Sequence, residues 1–230
     1  SNGKWITENI SITMRTPGND EELISGFLFN ERIVEKFSEI TKIEKDGEKV
    51  GDYNIQNKII AFINSTKNID IGKLKRNFVT NSSCGVCGKT SLDSIEVIKN
   101  EKLDLSFPKV KKEVIMESPK LLMNEQSEFS KTGGIHASAL INESGKTIAT
   151  KEDVGRHNAL DKLIGHAHRK KLIDNRSQFI ACSGRLNFEL VQKGLMSNIG
   201  LMVGVGAPTS LAIDLAKRFG MTLLGFVKKK

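Results

Sequence analysis

From residue 156 onward the chain alternates amphipathic helical stretches with short apolar runs, and this alternation limits the fold more than any other feature. Ala159, Leu160, Leu163 and Ile164 recur at helical spacing over 156–170, and an apolar run follows at 179–182. Phe188, Leu190, Val191 and Leu195 predict a helix over 187–198, and a strand follows over 201–205. A helix over 210–219, stopped by Gly220, leads to a last strand over 222–227. Strand–helix–strand–helix–strand implies parallel strands joined by right-handed crossovers, with helices covering the sheet. The fold class is α/β.

The first half reads differently. Ile6, Ile10, Ile12 and Met14 alternate with polar residues as in a strand, up to a Thr16-Pro17-Gly18 turn. A helix begins at Asn19 or Asp20, with Glu21 and Glu22 in its first turn and Leu23, Ile24, Phe27 and Leu28 as its stripe. Strands are predicted over 40–45, 50–56 and 59–63, with Asp46-Gly47 as a hairpin turn. Residues 81–88 read as a loop, and Leu92, Ile95 and Ile98 mark a short helix. The stretch 100–118 reads as an irregular connector, followed by a helix carrying Leu121, Leu122 and Phe129. A strand over 135–141 then turns at 143–146 into another. The division is an N-terminal α+β portion (1–80), a loop and short helix (81–99), a connector (100–118) and an α/β core (119–230).

Composition narrows the function classes. At 230 residues, 38% hydrophobic and 27% charged, the chain can bury a core without staples. No apolar run approaches the roughly 18 residues of a membrane helix, and the first residues lack the apolar core of a signal peptide. Three cysteines do not make a disulfide framework, which suits a reducing compartment. The net charge of +8 favours an anionic partner. Aromatic residues are 6% and mostly Phe, so stacking platforms for single-stranded nucleic acid are not evident.

Cys84-Gly85-Val86-Cys87 is the sharpest chemical feature. Two thiols flanked by glycines in a tight loop can serve as a redox dithiol, half a zinc site or a persulfide carrier, because the thiolate is the nucleophile. A zinc site wants two more ligands, and His136, His157 and Cys182 could supply them only through the fold. Cys182, in an apolar run, reads as packing. Ser183-Gly184-Arg185 and Gly206-Ala207-Pro208-Thr209-Ser210 follow strands and open helices, where ligands of parallel sheets bind and helix N-termini face anions. Ordinary capping by Pro208, Thr209 and Ser210 is the equal alternative. Arg156 and His157 open a helix within the charged run 152–158, as helix-start residues or as phosphate or base contacts. His136 follows Thr132-Gly133-Gly134 on an apolar strand, where a histidine is more often a hydrogen-bonded core residue than a ligand.

The stretches CGVCGK (84–89), TGGIH (132–136), EDVGRHNALDKLIG (152–165), SGR (183–185), APTSLA (207–212) and GMTLLGF (220–226) resemble, in order, those of the formate dehydrogenase accessory sulfurtransferases, the FdhD family. The resemblance spans nearly the whole chain. It implies a cytidine deaminase-like three-layer sandwich with a mixed sheet, beside the smaller N-terminal α+β portion. The zinc signature of true deaminases is absent from the sequence, so no metal is expected.

The resemblance also implies a sulfurtransferase. Persulfide sulfur passes from a cysteine desulfurase to the CxxC loop, with Cys84 at the persulfide-bearing position and Cys87 as its partner. It then passes to the molybdenum bis-guanine dinucleotide cofactor destined for formate dehydrogenase. A guanine nucleotide mimics that cofactor, and members form homodimers. Gly133, Gly134, His136, Arg156, His157, Ser183, Arg185, Thr209, Phe226, Val227 and Lys228 are the expected cofactor-binding residues, by loop chemistry and motif position. The family's cofactor segment starts at the position of Phe226 and runs past Lys230, with Lys228 where Arg is usual; Gly206 stands where Ser is common. The chain is expected to begin slightly short of the family's first strand. A cytoplasmic protein is expected, acting on neither nucleic acid nor membrane. The alternative is a non-catalytic cofactor-binding chaperone for molybdoenzyme maturation.

Overall fold

The computed structural model describes residues 5–50, 55–64, 102–104 and 106–228. In chain order these form α1 (Asp20–Asn30), β1 (Ile40–Val50), β2 (Ile55–Ile63), α2 (Lys112–Asn124), α3 (Ser127–Thr132), β3 (His136–Asn142) and β4 (Thr147–Asp153). There follow α4 (Arg156–Arg169), β5 (Gln178–Cys182), α5 (Phe188–Met196), β6 (Leu201–Gly204), α6 (Ser210–Phe219) and β7 (Thr222–Leu224).

Five strands make one mixed sheet in the order β4-β3-β5-β6-β7. The pairs β5–β6 and β6–β7 are parallel, as the alternation predicts, and β3 runs antiparallel to both β4 and β5. Period-two alternation sends successive residues to opposite faces. Leu140, Ile180, Cys182 and Met202 join one core with α1, α4, α5 and α6. Ala137, Ala139, Ile141, Phe179, Ala181, Leu201 and Val203 join a second core with Leu122 of α2. Three layers result. Leu160, Leu163, Ile164 and Leu190 are at most 1% exposed, which stabilises by about 1.5–3 kcal/mol for each such side chain.

Helix ends follow local chemistry. Asn187 accepts a hydrogen bond from Leu190 N, and Thr209 one from Ala212 N. Gly220, with φ +72°, stops α6 as expected. Three expectations are corrected. Asp46-Gly47 is not a hairpin turn: β1 runs straight through it, and Gly47 (φ +86°) sits at a shift of register against β2. Residues 112–118 are not connector but the first half of α2, which continues through Pro119. Pro119 cannot donate to Ile115 O, and the Ser118 hydroxyl takes that carbonyl at 2.7 Å, so the helix survives its proline. Residues 6–14 join no ladder among the described strands.

α1 and α4 meet at Gly26 and Gly165. A methyl at Gly26 would land on the Asp161 carbonyl, and one at Gly165 on the Glu22 carbonyl. The two backbones therefore touch, which only glycine permits. Beside this crossing Lys193 is buried with Asp161 (2.9 Å) and Glu31 (3.2 Å), and Asn30 donates to Asp161 at 2.6 Å.

Candidate functional site

The loops after β5, β6 and β7 lie side by side at one end of the sheet. Gly206 N donates to Gly184 O, Leu186 N to Ala207 O and Thr209 N to Leu186 O, so the first two loops bond like an extra pair of strands. Phe226 N donates to Gly206 O and Val227 N to Gly204 O, adding the third. A Cβ at Gly206 would lie 2.8 Å from Arg185 N. The closeness of these loops thus depends on small residues.

Because β3 is antiparallel, its first residue, His136, arrives at the same end. His136 pairs with Asp153 at the end of β4. Ser183 accepts from Ala137 N at 2.9 Å, and Ser183 N donates to Ala137 O at 3.0 Å. Next to them Gly184 backs onto the His136 ring: a Cβ there would be 3.1 Å from Nδ1 and 3.6 Å from Arg156 Cδ. His136, Gly184 and Arg156 therefore share one space. Burial pushes the His136 pKa down, and the charge of Arg156 and the nearness of His157 push it the same way. Neutral His136 beside a permanent cation can accept a hydrogen bond or donate one.

The turn carrying Arg156 is built by Asp153. Its carboxylate accepts from Gly155 N (2.9 Å), Asn158 Nδ2 (3.1 Å) and Thr16 N (3.0 Å) and pairs with Lys162 at 2.7 Å. Lys162 also donates to Thr16 O, which ties the Thr16-Pro17-Gly18 segment to the same turn. Arg156 Nε is buried and finds no acceptor among the described residues. A desolvated guanidinium donor without a partner suits an anionic oxygen.

His157 Nε2 lies 2.9 Å from Glu189 Oε2 and close to the Asn187 amide. Burial works against the Glu189 charge, but the contact with His157 and the field of Lys193 outweigh it and lower its pKa. Glu152 holds the opposite rim, accepting from Glu128 N and Phe129 N at 2.9 Å each and so capping α3. Gly133, at φ +66°, ends α3, and Gly134 leads into His136.

The structure thus brings His136, Arg156, His157, Ser183 and the Gly133–Gly134 loop to one end of the sheet, with Arg185 and Thr209 exposed on the adjoining loops. Thr209 spends its hydroxyl on capping. Phe226 is 67% exposed in a left-handed backbone conformation, φ +57°. Val227 is packed in the second core, and Lys228 is exposed. Cys84 and Cys87, with the helix predicted around 92–98, lie outside the described residues. Cys182 is buried beside Ser138, and burial raises its pKa to about 11. Sequence reasoning puts Glu152 in the charged run 152–158 and Asn187 at a helix start, but gives neither them nor Glu189 a place at the site. An Asn followed two residues later by Glu is a helix-start signal, but it does not show which side chain the Glu meets. Among the described residues no group of three or more His, Cys, Asp or Glu could hold a metal ion.

Compared with known proteins, the chain matches the FdhD/NarQ family over residues 4–230. It is 40% identical over 223 residues to the sulfur carrier protein FdhD of Saccharolobus solfataricus, covering 97% of this chain and 80% of that one. It is 42% identical over 221 residues to the FdhD of Picrophilus torridus (96% and 80%), and 38% over 225 to that of Corynebacterium efficiens (96% and 80%). A crystal structure from Desulfotalea psychrophila, assigned as a formate dehydrogenase accessory protein, shares the fold with a TM-score of 0.66 at 24% identity, covering 93% of this chain and 76% of that one.

Proposed function

The chain belongs to the FdhD/NarQ family, and from that premise we propose that it is a sulfur carrier in formate dehydrogenase maturation. The observation that carries this reading is its similarity, over nearly its whole length, to relatives named sulfur carrier proteins. The cysteine inventory supports it. Of three cysteines, Cys182 is buried with a thiol that stays protonated near neutrality, which leaves Cys84 and Cys87 for sulfur chemistry.

In this mechanism the Cys84 thiolate attacks the outer sulfur of a desulfurase persulfide. That S–S bond breaks, the desulfurase leaves as a thiolate, and Cys84 carries the persulfide with no net oxidation. Cys87 assists delivery, by stabilising the persulfide or by displacing its outer sulfur as a disulfide forms. The acceptor is the molybdenum bis-guanine dinucleotide cofactor, taken here as substrate. Its nucleotide end is held by His136, Arg156, His157, Ser183 and Arg185, with Gly133, Gly134, Thr209, Phe226 and Lys228 around them. The orphaned Arg156 Nε and the neighbouring neutral His136 fit an anionic, hydrogen-bonding ligand. The sheet order, with a single antiparallel strand beside the parallel ones, supports the likeness to a cytidine deaminase sandwich. A homodimer working in the cytoplasm completes the reading.

Intact-protein mass spectrometry under non-reducing conditions, after incubation with a cysteine desulfurase and cysteine, tests it. The wild type and the Cys182→Ser variant gain one sulfur atom that a reductant removes, and Cys84→Ala does not. A wild type that stays unloaded beside an active desulfurase would replace the carrier with the cofactor-binding chaperone.

A further inference from the structure

Two histidines stand at the candidate pocket in opposite surroundings. His136 faces the Arg156 cation, whereas His157 faces the Glu189 carboxylate. A carboxylate can only accept, so the proton of neutral His157 sits on Nε2. Asn187 reaches the same nitrogen with both amide atoms, Nδ2 at 3.0 Å and Oδ1 at 3.3 Å, so the carboxylate and not the amide sets the tautomer. Nδ1 then carries the lone pair. It takes no hydrogen bond among the described residues, and it is absent from their buried, unpartnered polar atoms.

We propose that Glu189 holds His157 as its Nε2–H tautomer, so that Nδ1 accepts from an N–H or O–H group of the bound nucleotide. The proposal rests on the reading of this pocket as a nucleotide site. Division of labour follows from charge. Arg156 and its unpartnered Nε serve an anionic oxygen, while His157, through Nδ1, selects a donor. Glu189 touches no ligand and is a positioning residue. Its place on the first turn of α5 lets that helix fix the ring while α4 carries it. Such outer partners set which ring nitrogen is available.

The test combines a ring signal with ligand analogues, using the 230-residue chain. Long-range nitrogen–proton NMR of His157 should show the Nε2–H tautomer in the wild type. Glu189→Ala should shift it toward Nδ1–H, and Glu189→Gln, which keeps an acceptor oxygen, should restore it. Calorimetric titration then compares GDP with IDP, 1-methyl-GDP and 2′,3′-dideoxy-GDP, which lack the 2-amino group, the ring N–H and the sugar hydroxyls. One analogue should bind the wild type about tenfold more weakly than GDP, the weight of one good hydrogen bond. That discrimination should vanish in His157→Ala and in Glu189→Ala, and return in Glu189→Gln. An Nδ1–H tautomer in the wild type would overturn the proposal. So would discrimination that survives in His157→Ala. Failure of GDP to bind the wild type would sink the nucleotide reading itself, and the selection with it.

Discussion

His168 shows how burial alone sets a titration. Its ring lies 4.7 Å from those of both Phe29 and Phe37, and burial pushes its pKa down to about 4. An exposed histidine in the unfolded chain titrates near 6.5. Between those values the unfolded state binds a proton that the folded state refuses, so stability rises with pH. The contribution is complete above pH 6.5 and is lost as pH falls toward 4; His136, also lowered, acts with the same sign. His168→Phe keeps the stacked ring and removes the titration. Its thermal midpoint should fall less between pH 6.5 and 4 than that of the wild type. Parallel slopes would show that His168 plays no part in the acid sensitivity.

At the scale of elements, α1 and α4 cross with their backbones in contact. Both helices present a glycine there, and each glycine faces the other helix's carbonyl group. A methyl group can be accommodated only by driving the helices apart, and overpacking of that kind costs about 3 kcal/mol or more. Gly165→Ala should therefore lower the unfolding free energy by that amount, read as a fall in the urea midpoint with the slope unchanged. A loss under about 0.5 kcal/mol, within the range of ordinary surface substitutions, would mean the helices do not touch at these positions. In the sequence both residues sit inside helical patterns, where an isolated glycine only weakens a helix. The contact that gives them meaning lies more than a hundred residues away. The continuation of α2 through Pro119 was hidden for a related reason. Its repair by the Ser118 hydroxyl is local, but Pro108, Pro119 and the charges around them read as a break.

Across the whole molecule, one buried network ties three helices together. Lys193 of α5 meets Asp161 of α4 and Glu31 at the end of α1, with all three acting through one ammonium. Burial opposes that charge, but the two carboxylates outweigh it and hold the Lys193 pKa above its ordinary range. Lys193→Met should cost about 3–5 kcal/mol, because it strands Asp161 without a counter-charge. The double variant Lys193→Met/Asp161→Leu should recover most of the loss, and chemical unfolding of both variants measures it. Equal instability of single and double variants would shift the explanation from charge to packing. The same α5 carries Glu189 toward His157, so one helix braces both the core and the pocket.

Local patterns in the chain suffice for the α/β class, for helix ends such as Asn187 and Gly220, for the strands of the second half and for the Cys84–Cys87 motif. Each depends on residues within a few positions of one another, where spacing decides which face is apolar and which atom can cap a backbone group. Folding alone settles the antiparallel insertion of β3, and with it the arrival of His136 beside Gly184 and Arg156. It also settles the burial of Lys193 and the pairing of His157 with Glu189. A charged residue in a sequence reads as a solvated one until a distant carboxylate is brought within about 3 Å of it. Periodicity states that a face will be covered, and only the packing of remote elements states by what.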